Sequence, residues 1–168
     1  VATSGARLLQ DDAVATLTGV LLPLATLITP NLPEAEVLTG RAIGGGDAIV
    51  DAARELGDTF GTAVLIKGGH GAAAEAEDIL FDGERVYRIA TPRIDQPVST
   101  HGTGCSLSAA IAAALACGKP LLDAVAEGKA YVYESIRTGT WVGEASAVLG
   151  TPARLPIEQV RVDTLRKP

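Results

Sequence analysis

Long apolar runs are missing from this 168-residue sequence: no uninterrupted stretch reaches the roughly 18 to 20 residues needed to span a bilayer. The opening VATSGARLLQDD lacks the basic region and apolar core of a secretory signal. A block of Lys or Arg is missing too, and the formal net charge is −6. Nucleic acid and anionic membrane are therefore not expected as partners, because both need clustered positive charge. A phosphate ligand would need local help from backbone amides, a lone Lys or a metal ion. Cysteine is scarce. Cys105 and Cys117 stand twelve residues apart in what reads as one helix, about 18 Å along its axis, which excludes a disulfide or a shared metal site between them and suits a reducing cytoplasm. Aromatic residues make up only 4%, and there is no initiator Met. The chain opens inside what reads as a strand end, so it is expected to be a piece of something longer.

What is abundant is Ala, Val, Leu, Ile and 19 Gly within a 47% hydrophobic composition, which suits helices packed closely on a buried sheet. DDAVATLTGVLLPLA has helical spacing from about Asp11 to Leu22, with Asp11 or Asp12 as cap. ATLIT at 25–29 reads as a buried strand stopped by Pro30. PEAEVLTG reads as a short helix with Pro33 in its first turn and Gly40 past its end. After a Gly44–Gly46 loop, Asp47 is placed to cap a helix ending at Gly57, and AVLIK at 63–67 is the next buried strand. Alternating runs on either side of Asp82-Gly83 predict a hairpin with a type I′ turn. HGTGCSLSAAIAAALACG reads as a small-residue helix closed by Gly118, and PLLDAVAEGKAYVYESIRTG as another, ending at Gly139. The tail after Trp141 is expected to be loop and a frayed end. The fold class is α/β: one unit with a largely parallel sheet, helices on both faces and one antiparallel hairpin. Ligands of such sheets sit at the strands' carboxyl ends, where Asn31–Glu34, Lys67–His70 and His101–Cys105 are expected to converge.

The most informative segment is STHGTGCSLS at 99–108. Gly102 and Gly104 allow a tight turn and close approach of a ligand, and the following amides open a long helix whose dipole favours an anion. The alternative is that Thr100 or Thr103 simply caps the helix. There is no GxxxxGK[ST], and Leu107 takes the third glycine position of GxGxxG, so neither common nucleotide fingerprint is present.

THGTGCSLSAAIAAALA, with ITPNLPEAEVLTG, VLIKGGH and EDILFDG, resembles the hydroxymethylpyrimidine/phosphomethylpyrimidine kinases of thiamine biosynthesis. The likeness runs from about Val1 to Gly139. It implies a ribokinase-like three-layer α/β/α fold, with residues 1–140 forming the C-terminal part of a kinase domain and 141–168 an extension of loop or short helix. It also implies transfer of phosphate from ATP, with Mg²⁺, to a pyrimidine alcohol and then to its monophosphate. By resemblance, Gly102, Thr103, Gly104 and Cys105 form an anion hole for the phosphoryl group, and Cys105 is the base, a role that helix N-termini promote in thiols. Asn31 and Glu34 would hold hydrated Mg²⁺, and Lys67 would place its charge on the transferred phosphate. Lys67, Thr103, Gly104, Asn31 and Lys129 would contact the nucleotide, although a solvated helix face is an equal reading of Lys129.

Several alternatives stay open. Glu34 is otherwise a helix-start carboxylate, Lys67 a strand-end Lys reaching solvent, and Cys117 a small buried hydrophobe. A Cys–His hydrolase would pair Cys105 with His101, with Asp95 as the sole evident acid and His70 nearby. A vitamin B6 alcohol kinase would use the same phosphate machinery. A noncatalytic nucleotide-binding remnant is the third option. The family chain is longer, so this chain alone is expected to be inactive until a missing N-terminal segment, a second chain or a homo-oligomer completes its sheet.

Overall fold

The computed structural model describes residues 10–68, 74–144 and 146–165. The chain forms two compact units, Val1–His70 with Glu77–Arg88 and Asp163–Pro168, and Gly71–Ala76 with Ile89–Val162.

In the first unit, α1 (Asp11–Thr16) continues through a widened π turn at Leu17–Leu21 and a 3₁₀ turn at Leu22–Leu24. The helix is where the spacing placed it. Its cap position, however, is Gln10 rather than an Asp, and no side chain caps it. The widening falls where Thr16 and Thr18 turn their hydroxyls back onto the carbonyls of Asp12 and Val14, each at 3.0 Å, a bonding pattern that loosens helices. Strand β1 (Leu27–Ile28) then pairs in parallel with β2 (Ala63–Lys67), Leu27 opposite Ala63. Between them lie α2 (Leu32–Thr39), closed by Gly40 at φ 69°, and α3 (Asp47–Phe60). Asp47 is the first residue of α3 and Gly46 its cap. The helix runs past Gly57 because that glycine is buried against the Phe81 ring, which occupies the space of a side chain there. Val64, Leu65 and Ile66 are fully buried, as a strand covered on both faces requires.

Strand β2 also pairs antiparallel with β3 (Glu75–Phe81), and the sheet order is β1-β2-β3-β4-β7, with β4 at Val86–Pro92 and β7 at Arg161–Leu165. The sheet is thus mixed, and the hairpin β3–β4 is present. Its turn is not type I′: Gly83 has φ 103°, but among the described residues Gln96 is the one non-glycine with positive φ, whereas type I′ needs two such positions in succession. Instead the Asp82 carboxylate accepts from the amides of Glu84 at 2.9 Å and Arg85 at 2.7 Å, closing a longer connection. Ala52, Ala53 and Leu56 of α3 pack with Ile28, Ile66, Ile79 and Val86 in one apolar core.

In the second unit, α4 (Thr103–Ala116) lies along α5 (Leu121–Arg137). Gly128 permits this approach, since a Cβ there would sit 2.6 Å from Ile111 Cγ1. The tail departs from expectation. β5 (Thr140–Val142) and β6 (Ser146–Val148) form a hairpin, and Gly150 donates to Ser135 O at 2.8 Å. β7 joins the five-stranded sheet. The apolar alternation of these three- and five-residue strands is too short to separate them from loop by pattern. Among the described residues no helix is long and apolar enough to cross a membrane.

Candidate functional site

The first unit assembles three of the expected residues. β1 ends at Ile28; two residues further on, the Pro30 carbonyl accepts from Lys67 N at 2.9 Å, and Asn31 forms a parallel bridge with Lys67. Asn31 and Lys67 therefore meet at the carboxyl ends of adjacent parallel strands, where open α/β sheets take their ligands. Asn31 then caps α2: its Oδ1 accepts from Glu34 N at 2.8 Å, and Glu34 Oε2 accepts from Asn31 N at 2.8 Å. N-x-x-E is thus a reciprocal capping box. It fixes the half-buried Glu34 carboxylate at the sheet edge and makes the helix-start reading of Glu34 true in geometry. No cluster of three or more acids, His or Cys able to hold a metal occurs among the described residues. Glu34 offers a single carboxylate at this edge, a donor set that would suit a largely hydrated hard cation and not an all-protein cage. Lys67 is half-buried and makes no ion pair among the described residues, whereas Arg41 and Arg88 are paired with Glu55 and Glu77. Gly69 and His70 lie outside the described residues.

The second unit carries the glycine turn. Gly102 adopts the left-handed conformation at φ 85° and its carbonyl accepts from Ser106 N at 2.9 Å, which starts α4. Neither threonine caps the helix. The Thr103 hydroxyl donates to Thr100 O at 3.0 Å, and α4 has no side-chain cap and no acid in its first turn. Among the described residues nothing accepts from the amides of Gly104 and Cys105. The result is an open helix start with its positive dipole end unopposed and Cys105 exposed beside it. Such a start can bind an anion and present a thiol to it. Leu149 approaches this turn, 4.0 Å from the place of a Cβ on Gly102.

Lys129 is buried at 7% exposure, which overturns the solvated-face reading. Cys117 is exposed and lines a groove of about 600 Å³ with Ala113, Tyr131 and Leu155, so it is not a buried hydrophobe. No hydrogen bond links His101 to Cys105 or to the exposed Asp95 among the described residues, and the hydrolase arrangement is absent there. Sequence reasoning gave no role to Asp78, a carboxylate only 4% exposed in β3 whose Oδ1 accepts from Gly68 N at 3.0 Å. A charged residue opening the buried run DILF was the signal for it.

Known proteins resemble this chain in sequence and in fold. The family model of phosphomethylpyrimidine kinase matches residues 1–149. A hydroxymethylpyrimidine/phosphomethylpyrimidine kinase of Rhizobium meliloti (strain 1021) is 52% identical over 137 residues, 81% of this chain and 51% of that protein. Among solved structures, the pyridoxal kinase from Staphylococcus aureus in complex with AMP-PCP superposes with a TM-score of 0.83 at 31% identity, over 94% of this chain and 59% of that one. The phosphomethylpyrimidine kinase from Clostridium difficile 630 gives 0.66 at 36% identity, over 81% and 54%. The chain spans about half the length of the curated relative it matches. Its fold is of the ribokinase-like α/β class, and the chain belongs to the phosphomethylpyrimidine kinase family.

Proposed function

We propose that this chain carries the ATP-, magnesium- and anion-handling part of a kinase that phosphorylates 4-amino-5-hydroxymethyl-2-methylpyrimidine and then its monophosphate, for thiamine biosynthesis. The observation that carries this reading is the uncapped start of α4: a left-handed Gly102, two amides without acceptors among the described residues and an exposed Cys105. A helix of this length would be more stable with an Asp or Ser at its cap, by about 1 kcal/mol. An open start is useful where a negatively charged group must come and go.

In the reaction, the Cys105 thiolate takes the proton of the substrate hydroxyl, whose oxygen attacks the γ-phosphorus of ATP as the bond to ADP breaks. The amides of Thr103, Gly104 and Cys105 receive the charge on the phosphoryl oxygens. Lys67 contributes a point charge to the transferred phosphate, and Lys129 contacts the nucleotide. Asn31 and Glu34 would hold hydrated Mg²⁺. Bound there, the ion would neutralise phosphate charge. The protein's part is positioning and charge stabilisation.

The test is ATP-dependent phosphorylation of the hydroxymethylpyrimidine by the full-length protein. Transfer to both the alcohol and its monophosphate is expected, and absence of both overturns the reading. The pyridoxal kinase superposition at a TM-score of 0.83 favours a second reading, a vitamin B6 alcohol kinase. Relative kcat/KM for the two alcohols decides between them. Nucleotide binding without turnover, seen by calorimetry with ADP and Mg²⁺, would instead identify a binding module. The reading implies a cytoplasmic protein whose partners are small molecules.

A further inference from the structure

We infer that Asp78 is a positioning residue that fixes Lys67 for phosphate contact, an inference that rests on the phosphoryl-transfer reading above. Stability alone disfavours an Asp at this position. It stands in a strand beside the buried Ile79, Leu80 and Phe81, with 4% of its surface exposed. Asp is disfavoured in strands, and a buried carboxylate costs several kcal/mol unless it is held by partners. An apolar β-branched residue would serve the sheet better.

What the carboxylate does is local and specific. Its Oδ1 accepts from Gly68 N at 3.0 Å, the residue directly after Lys67 at the end of β2. Asp78 is also the antiparallel register partner of Lys67, so the two side chains leave the sheet on the same face. On the other side of β2, Lys67 N donates to Pro30 O at 2.9 Å and the residue bridges Asn31. Gly68 completes the arrangement: a Cβ there would lie 2.6 Å from Glu77 O, so the chain passes flat against β3 at this point. The Lys67 backbone is thus held from both sides, and Asp78 supplies a hydrogen bond to the residue that follows it. Lys67 itself forms no ion pair among the described residues. Its ammonium is therefore available to a ligand while its root is fixed.

The experiment uses the full-length protein and a double-mutant cycle between the two positions. Asp78→Val keeps the strand but removes the acceptor for Gly68. It is expected to lower kcat by about 10- to 100-fold, the effect of a misplacement of order 1 Å, with little change in KM for ATP and an unfolding midpoint within a few degrees of wild type. Asp78→Asn, which retains an acceptor oxygen, is expected to recover most of that loss. In a Lys67→Ala background, Asp78→Val should add little further loss, because both changes remove one function. Should the Val variant not fold, Asp78→Ser takes its place, its hydroxyl being too short to reach Gly68. Unchanged kcat in Asp78→Val, no recovery with Asn, or losses that multiply with Lys67→Ala each overturn the inference. A wild-type protein that transfers no phosphate overturns the functional reading itself, and an Asp78→Val loss confined to stability overturns only the inference.

Discussion

Two helices of this chain begin in opposite ways. α2 is closed by its own residues: Asn31 and Glu34 satisfy each other's amides, and Pro33 sits in the first turn, where a missing N–H has no cost. α4 begins at a left-handed glycine with no side-chain cap and no acid to oppose its dipole. The same sequence that supplies a reciprocal cap to an eight-residue helix withholds any cap from a fourteen-residue one. A closed start stabilises the fold, and an open one keeps donors for a ligand. Propensity alone does not explain the difference, since Thr100 and Thr103 stand beside the open start and neither side chain caps it.

The largest expected effect comes from the open start. Cys105→Ala in the full-length protein should lower turnover by about 10²- to 10⁴-fold, the usual contribution of a positioned base, while ADP affinity by calorimetry changes little. Equal losses in binding and rate would make the thiol a structural element and erase the functional half of the contrast. Gly102→Ala comes next. At φ 85° a side chain adds strain of about 1–2 kcal/mol and re-aims the amides that follow. Turnover is expected to fall by about tenfold or more, with the unfolding midpoint several degrees lower. A Gly102→Ala variant with unchanged kinetics would mean that the left-handed turn does not direct the amides.

Much of this was legible in the residues, for identifiable reasons. AVLIK showed itself as a buried strand because its apolar run is short, β-branched and bounded, and the structure places β2 at Ala63–Lys67. The start of α2 and its closing Gly40 followed from Pro33 and the glycine. The glycine turn was visible because only Gly adopts its backbone at no cost. Other features depend on partners distant in sequence. α3 continues through Gly57 because Phe81 fills the space beside it. β7 is a strand because the sheet has an edge to offer it. The capping box was written in N-x-x-E, yet the same spacing also suits the proposed metal role, and spacing alone does not separate the two readings.

Glu34 is where the two kinds of helix start can be pulled apart. Gln completes a capping box as well as Glu, so Glu34→Gln should leave the unfolding free energy within about 0.5 kcal/mol of wild type, whereas Glu34→Ala should cost about 1 kcal/mol. If the carboxylate also holds Mg²⁺, the Gln variant should raise the Mg²⁺ concentration for half-maximal turnover by about tenfold, since a neutral amide is a poor ligand for a hard cation. Unchanged Mg²⁺ dependence in Glu34→Gln would leave α2 with a purely structural start.

The smallest effect comes from a third group of amides, closed as α2 is closed. Asp82 accepts from Glu84 N and Arg85 N and receives the Tyr87 hydroxyl at 3.1 Å. Desolvation opposes ionisation of this carboxyl, but the amides of Arg85 and Glu84, then Tyr87, outweigh it and hold its pKa below the ordinary value. A depressed folded-state pKa stabilises the protein above the unfolded value, about 3.9 for Asp, and the stabilisation is lost as pH falls through the folded value. Asp82→Ala should therefore cost about 1 kcal/mol at pH 7. Its difference from wild type, followed by denaturant unfolding, should stay level from neutrality down to about pH 5 and shrink below about pH 4. A difference that persists undiminished at lower pH would mean that the neutral carboxyl holds the turn as well as the carboxylate does, and that its charge adds nothing to this closed start.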